Sequence, residues 1–155
     1  MIGKGVRHIN SLRQPELIKN CRYFNQLISD DLQLRTKYFE TFFKRARGAD
    51  LVFFDPDNGL GVKSIPKGRK KSSKYIYWDE LEMSYKLGHS ILIYQHFPRK
   101  ERTSFINSLV QRFITLQGLP SVISYCTPYV AFLLLPQPRD KKYFLNKTLY
   151  ISEKW

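Results

Sequence analysis

The chain has 155 residues, of which 43% are hydrophobic and 15% aromatic, and it carries 26 lysines and arginines against 13 aspartates and glutamates. This length and composition fit one globular domain and exclude an intrinsically disordered chain. The formal net charge of +13 favours a polyanionic partner, which we expect to be RNA or DNA.

No apolar run approaches the roughly 20 residues that a membrane helix requires, so no membrane partner is expected. Cys21 and Cys126 lie far apart and in no metal-ligand spacing. Two isolated cysteines favour a reduced, cytoplasmic protein over a disulfide-stabilised one.

Residues 1–48 are predicted to be a mainly helical N-terminal part with an irregular, basic start. Apolar residues at helical spacing predict one helix over residues 15–28. A second helix is predicted over residues 31–47, because acids stand at its start, cations at its end, and Gly48 where a C-terminal cap belongs.

Residues 49–138 are predicted to form the sheet core. The segments "LVFF" and "ILIY" are near-continuous apolar runs, as is typical of buried central strands. The predicted elements are a strand over 50–55, a basic loop over 61–74, a helix that ends at Gly88, a strand over 90–95, a helix over 98–116, and strands over 121–127 and 129–138. A basic tail is expected over residues 139–155.

From residue 31 the elements follow the order α-β-α-β-α-β-β, which indicates helices packed on a largely parallel sheet. The last two strands predict an antiparallel pair that closes one sheet edge. We therefore expect residues 1–155 to form a single α/β domain, a shortened Rossmann-like three-layer fold. In it, strands 50–55 and 90–95 should be parallel neighbours.

Polar groups follow both of these strands at the point where each ends. After the first come Asp55, Pro56, Asp57 and Asn58, and at the end of the second stand Tyr94, Gln95 and His96. Because the carboxyl ends of parallel neighbours meet at one sheet edge, these groups are expected to share a crevice that binds a ligand. An ordinary strand-ending turn is the alternative. His96 could act there as a base or hydrogen-bond donor.

Basic residues cluster on both sides of this predicted crevice. The loop 61–74 carries six cations, Lys63, Lys67, Arg69, Lys70, Lys71 and Lys74, and aromatic residues follow it. We expect this loop, and Lys70, Lys71 and Lys74 above all, to contact phosphates. Arg99 belongs to a second basic group after His96, where an anionic ligand would explain cations at a helix start.

The alternate positions of Asp55 and Asp57 also raise the possibility of a magnesium site, since hard cations take carboxylate oxygens. No third carboxylate follows another predicted strand. Glu80 and Glu82 fall within a predicted helix and are expected on its solvated face. No metal ligand is therefore assigned.

The segment from "ADLVFFDPDNGL" onward resembles the later half of class I S-adenosylmethionine-dependent methyltransferases that act on amino groups. Those enzymes carry an Asp/Asn-Pro-Pro-Tyr/Phe tetrapeptide after a central strand, where this chain has Asp55-Pro56-Asp57-Asn58. The order in "YKLGHSILIYQHFPRKERTSFINSLVQRF" and the strand "TPYVAFLLLPQP" look like bacterial large-subunit ribosomal RNA adenine-N6 methyltransferases. The stretches "VKSIPKGRKKSSKYIYWDE" and "GHSILIYQHFPR" also resemble a family of uncharacterised bacterial and phage proteins.

The methyltransferase resemblance implies a nucleic-acid-modifying enzyme that uses S-adenosylmethionine. Asp55 would accept a hydrogen bond from an exocyclic amine with help from the Pro56 carbonyl, Asn58 would read the base edge, and Tyr94 would stack on the base. Asp57 and Asn58 depart from the family tetrapeptide, and no glycine-rich cofactor loop stands at a first strand.

Three other classes stay open. The stretch "VFFDPDNGL" also looks like the Asp-x-Asp motif of haloacid dehalogenase-like phosphatases, with Asp55 as nucleophile, Asp57 as acid–base and magnesium as cofactor. A magnesium-dependent nuclease would use Asp55, Asp57 and His96. The third class is a non-catalytic basic module that binds nucleic acid or, like a phage effector, a host protein.

Overall fold

The computed structural model describes residues 20–117 and 121–154. Its elements in chain order are α1 (Leu32–Ala46), β1 (Leu51–Phe54), a 3-10 turn (Ser72–Lys74), α2 (Trp78–Lys86), β2 (Ser90–His96), α3 (Arg102–Gln117), β3 (Ile123–Cys126), β4 (Val130–Leu135) and α4 (Lys141–Lys154). None of the helices in these residues is long and apolar enough to cross a membrane.

The helix predicted over residues 31–47 is confirmed as α1. The Asp31 carboxylate accepts a hydrogen bond from the Leu34 N–H at 2.9 Å, which caps the first turn. At the other end Gly48 has a φ of +76°, a conformation that glycine adopts without strain.

The helix predicted over residues 15–28 is wrong for its described part, because residues 21–28 have no helical structure and 15–19 lie outside the described residues. The apolar spacing there reflects contacts made from an irregular segment. The Phe24 ring packs edge-on against Tyr38 and Phe42 of α1, at 5.0 and 5.4 Å between ring centroids. Ile28 packs on the main core.

The four strands form one open sheet in the order β1-β2-β4-β3. The predicted parallel pairing of the first two strands is confirmed, with Leu51 opposite Ser90 and Phe54 opposite Ile93. The expectation of a mostly parallel sheet is wrong, because β2–β4 and β3–β4 are both antiparallel. The strand β4 returns from β3 through a short turn and lies beside β2, which puts β3 at one edge.

The first strand lies at the other edge of the sheet and is not the buried central strand that "LVFF" predicted. Leu51 and Phe53 are 39% and 51% exposed. Their alternation with the better buried Val52 and Phe54 shows that β1 buries one face only.

The hydrophobic core lies on one face of the sheet. Ile91, Ile93, Leu133 and Leu135 point into it and pack with Phe39 of α1, Leu81 of α2, and Ile106, Leu109 and Phe113 of α3. On the opposite face α4 contacts β3, where the Tyr125 hydroxyl and Thr148 Oγ1 are 2.7 Å apart. The helix α4 occupies most of the segment predicted only as a basic tail, 139–155. These contacts establish an α/β fold with a mixed sheet and do not confirm a Rossmann-like three-layer one.

Candidate functional site

The carboxyl ends of β1 and β2 bring together Asp55, Asp57 and His96. Asp55 is exposed to solvent but partly desolvated by its surroundings, and this desolvation is the main cause that raises its pKa above the ordinary value; the neighbouring Asp57 carboxylate raises it further. The interaction with His96 works in the opposite direction and lowers the pKa of Asp55. The three side chains therefore lie close enough to interact electrostatically, and the shared ligand-binding crevice stays a prediction.

Gln95 braces this site and is not available to a ligand. Its side chain is 5% exposed, and its Oε1 accepts a hydrogen bond from the Leu60 N–H at 2.9 Å while its Nε2 donates to the His96 carbonyl at 2.7 Å. Gly59 has a φ of +81°, and a Cβ on it would lie 2.5 Å from the Gln95 amide. The segment after β1 is thus fitted closely onto the end of β2.

Tyr94 and His96 lie on the opposite face of β2 from Gln95, because successive strand residues alternate. Their ring centroids are 4.9 Å apart in an edge-on contact, and His96 is exposed. The Tyr94 ring also contacts Phe132 of β4, at 5.5 Å between centroids. Tyr94 is therefore an aromatic surface next to the cluster, as the stacking role predicted for it would need.

The basic loop 61–74 begins and ends at this site. Beyond β1, Asn58 N–H donates to the Lys74 carbonyl at 2.9 Å, Ile76 N–H to the Gly59 carbonyl at 3.1 Å, and Gly61 N–H to the Ile76 carbonyl at 2.8 Å. This pairing brings Lys74 Nζ to 3.6 Å from Asp57 Oδ2. Both groups are exposed, so their ion pair adds little stability but links loop and site.

A buried ion pair holds the far side of the loop. Arg35 is 1% exposed, and its Nε and Nη2 donate to the Glu80 carboxylate at 2.6 and 2.8 Å. The same guanidinium donates to the Ser72 and Tyr75 carbonyls at 3.0 and 2.8 Å. The prediction of a solvated Glu80 is wrong: this carboxylate is 6% exposed and also accepts a hydrogen bond from the N–H of Tyr77, the residue that caps the start of α2.

Asp30 fixes the loop at its left-handed residue, Lys71, whose φ is +72°. The Asp30 carboxylate accepts hydrogen bonds from the N–H groups of Lys71 and Ser73 at 2.7 and 2.6 Å. These hydrogen bonds lower the pKa of Asp30 to about 2, and the bond from Ser73 has the largest effect. Sequence analysis missed both Asp30 and Arg35, although Arg35 stands four residues before Phe39 on the apolar side of α1.

The cations of the loop divide into two groups. Lys67 forms ion pairs with Asp79 and Glu80, and Lys74 forms one with Asp57. Within the part of the chain that the structure describes, no acidic side chain pairs with Lys63, Arg69, Lys70 or Lys71. These four charges are therefore presented to solvent on an anchored loop.

A second basic surface follows β2. An open groove of about 580 Å³ is lined by residues 97–102 together with Pro128 and Tyr129. Its acidic residue, Glu101, accepts hydrogen bonds from Thr103 and Ser104 N–H at 2.8 and 2.5 Å, which lowers the pKa of Glu101 and caps α3. Arg99, Lys100 and Arg102 give the groove its net positive charge. Tyr129, which sequence analysis did not select, is 81% exposed at its rim.

Among residues 20–117 and 121–154, no cluster of three or more His, Cys, Asp or Glu side chains is placed to hold a metal ion. Comparison with known proteins adds no identification: no protein-family model, curated protein or solved structure matches the chain. The methyltransferase, phosphatase and nuclease assignments remain predictions.

Proposed function

We propose that the chain acts on nucleic acid and recognises an exocyclic amino group of a base at Asp55, in the manner of an amino methyltransferase. The observation that carries this proposal is the meeting of Asp55, Asp57 and His96 at two adjacent strand ends. An anchored basic loop and a basic groove flank the same sheet edge. Two basic surfaces and a small polar site thus lie at one sheet edge, which supports the proposal.

The proposed contact uses the Asp55 carboxylate as a hydrogen-bond acceptor. A carboxylate accepts but cannot donate, so it favours an amine over a carbonyl at the same position of a base. Hydrogen bonds to charged groups contribute about 1.5–3 kcal/mol, which is enough to select one base. Asn58 is exposed beside it and carries both a donor and an acceptor for the rest of the base edge.

The methyl donor that the resemblance implies is S-adenosylmethionine, and the glycines after β1 do not fit it. A Cβ on Gly59 would lie 2.5 Å from the Gln95 side chain, and one on Gly61 would lie 2.6 Å from the Tyr77 ring. Side chains of the protein fill the space beside both glycines, so this segment offers no cradle for a cofactor. The described residues therefore support the recognition of a base.

A magnesium-dependent phosphohydrolase or nuclease is the second candidate. The observation that favours it is the Asp55–Asp57 carboxylate pair, in which the Asp57 charge raises the pKa of Asp55 and a divalent cation would relieve the repulsion. Two carboxylates and several waters are a common magnesium environment.

Calorimetric titration separates these classes. Heat on adding S-adenosylmethionine without metal would support methyl transfer, and heat on adding Mg²⁺ alone, abolished in Asp55→Asn, would support the hydrolases. If the protein binds oligonucleotides but gives no heat with either S-adenosylmethionine or Mg²⁺, the result would support a nucleic-acid-binding module without catalysis. The proposal as a whole fails if RNA and DNA both show no measurable binding at low salt.

Charge reversal in the basic loop tests the nucleic-acid interaction directly. Lys70→Glu/Lys71→Glu should weaken binding by a similar factor for every sequence and lower the salt slope by roughly 0.7 for each single-strand phosphate that is no longer neutralised. Lys74 is kept, because it pairs with Asp57. Lys44→Glu is the matched control, since α1 ends at Ala46, near the amino end of β1 and away from the candidate site. Because the control reverses one charge and the loop variant two, a control effect half as large in free energy would point to bulk charge instead of this loop.

A further inference from the structure

Three aromatic rings form a continuous surface on the sheet face opposite the core. Phe53 of β1, Tyr94 of β2 and Phe132 of β4 stand on three adjacent strands. Tyr94 and Phe132 are direct partners in the β2–β4 register, and their ring centroids are 5.5 Å apart. The Phe53 and Phe132 centroids are 6.4 Å apart. We call Phe53, Tyr94 and Phe132 the aromatic shelf.

Alternation along the strands places the shelf away from the helices α1, α2 and α3. Ile91, Ile93 and Leu133 are fully buried against those helices, and the shelf residues occupy the intervening positions. The helix α4 covers another part of this face: Asp140, the residue before it, accepts from Ser90 Oγ of β2 at 2.7 Å, Leu134 of β4 is 3% exposed, and Thr148 contacts Tyr125 of β3. At the β1 end the shelf is open, with Phe53 51% exposed.

The shelf leads directly to the candidate site. Asp55 follows Phe53 by two residues, and His96 follows Tyr94 by two residues with its ring in contact. A base lying on the rings would therefore have its edge near the Asp55 carboxylate and the His96 imidazole. Base–aromatic stacking tolerates any sequence, because every base has a flat π surface.

Charge next to the shelf favours a nucleic acid over an apolar protein partner. His96 is followed after two residues by Arg99 and Lys100 of the basic groove, whose rim carries the exposed Tyr129. Lys74 lies at the same sheet edge, and the basic loop that carries Lys70 and Lys71 begins and ends there. Phosphates in the groove and bases on the shelf match the usual combination of a cationic track and stacking rings.

We propose that the aromatic shelf stacks unpaired bases, so that the nucleic acid bound by this chain is single-stranded. This inference rests on the proposed function for the nature of the ligand and adds its strandedness and its binding surface. A duplex buries the flat surfaces of its bases between neighbours, whereas a single strand or an unpaired loop exposes them.

The test is fluorescence anisotropy of labelled oligouridylate, oligodeoxythymidylate and a duplex of equal length with the full chain. Wild-type protein should bind both single strands more tightly than the duplex. Phe53→Ala should weaken single-strand binding about 5- to 150-fold, the range found when one stacking ring is removed, and leave duplex binding unchanged. Phe53→Leu keeps apolar bulk without the ring and should weaken single-strand binding in the same direction.

Leu51→Ala is the matched control, because Leu51 lies on the same face of β1, is 39% exposed and has no ring. The inference is overturned if the duplex binds as tightly as the single strands, or if Leu51→Ala and Phe53→Ala have equal effects. If no oligonucleotide binds, the proposed function and the shelf proposal both fail, and a protein partner becomes the occupant to seek. If Phe53→Ala acts as expected while Asp55→Asn changes nothing, the shelf stands and the Asp55 site is refuted.

Discussion

Replacing Arg35 by methionine should both destabilise the protein and loosen its basic loop. The substitution leaves the Glu80 carboxylate, 6% exposed, without its main partner. Breaking a buried ion pair from one side costs about 3–5 kcal/mol. Lys67 Nζ remains 3.1 Å from Glu80 Oε1, which favours the lower end of that range. The Ser72 and Tyr75 carbonyls each lose a donor as well, at about 1 kcal/mol apiece.

We therefore expect a loss of about 3–5 kcal/mol, a large fraction of the roughly 5–15 kcal/mol that stabilises a typical domain. Urea denaturation measures it. Arg35→Lys should be intermediate, because lysine keeps the charge but cannot form the planar fork. The double variant Arg35→Met/Glu80→Met leaves neither charge of this ion pair buried. A double-mutant cycle built from the two single variants and this double variant should therefore give a coupling energy above about 1 kcal/mol.

Arg35→Met should also bind oligonucleotides less tightly than wild type at temperatures where it is still folded, because Arg35 holds the basic loop through the Ser72 and Tyr75 carbonyls. A cost below about 1 kcal/mol, or a coupling energy near zero, would show that this ion pair does not hold the loop.

Two further predictions concern single polar residues. The lowered pKa of Asp30 means that its ionised form stabilises the fold above the ordinary value of 3.8, and that this stability is lost as the pH falls through about 2. Asp30→Asn should therefore flatten the decline of melting temperature over that acid range; an unchanged profile would contradict the hydrogen bonds from Lys71 and Ser73. Gln95→Ala should cost about 1–3 kcal/mol in urea denaturation, since it removes the side-chain acceptor of the Leu60 N–H and a donor to the His96 carbonyl. A variant as stable as wild type would show that Gln95 does not brace the site.

Patterns within short stretches of sequence predicted most of the helices and strands. The order of the strands in the sheet was missed, because it depends on pairing between distant segments. The spacing of apolar residues located α1, α2, α3 and the four strands, and correctly predicted β1 and β2 as parallel neighbours. The insertion of β4 between β2 and β3 depends on contacts between distant segments, which periodicity does not encode. For α4 a start signal was present, since Asp140 precedes its first residue and its carbonyl accepts from Phe144 N–H at 3.0 Å.

At the candidate site, the parallel pairing of β1 and β2 was enough to predict that two polar strand ends meet. The sequence did not predict the role of every residue there. Alternation from Ile91 and Ile93 puts Gln95 on the buried face, so its bracing role was readable from the strand pattern. Arg35 stands on the apolar side of α1, but its partner Glu80 is 45 positions away and alone resembles an ordinary solvated helix residue. Their pairing is visible only once α1 and α2 pack on one core.

The most direct test of the central claim compares the affinity of the protein for oligoadenylate with its affinity for the same strand carrying purine, which lacks only the exocyclic amine. Wild-type protein should prefer adenine by about 10-fold or more, the effect of one hydrogen bond to a charged acceptor. Asp55→Asn should remove this preference and keep the fold. Equal affinity for both strands in the wild type, or an undiminished preference in Asp55→Asn, would contradict base recognition at Asp55.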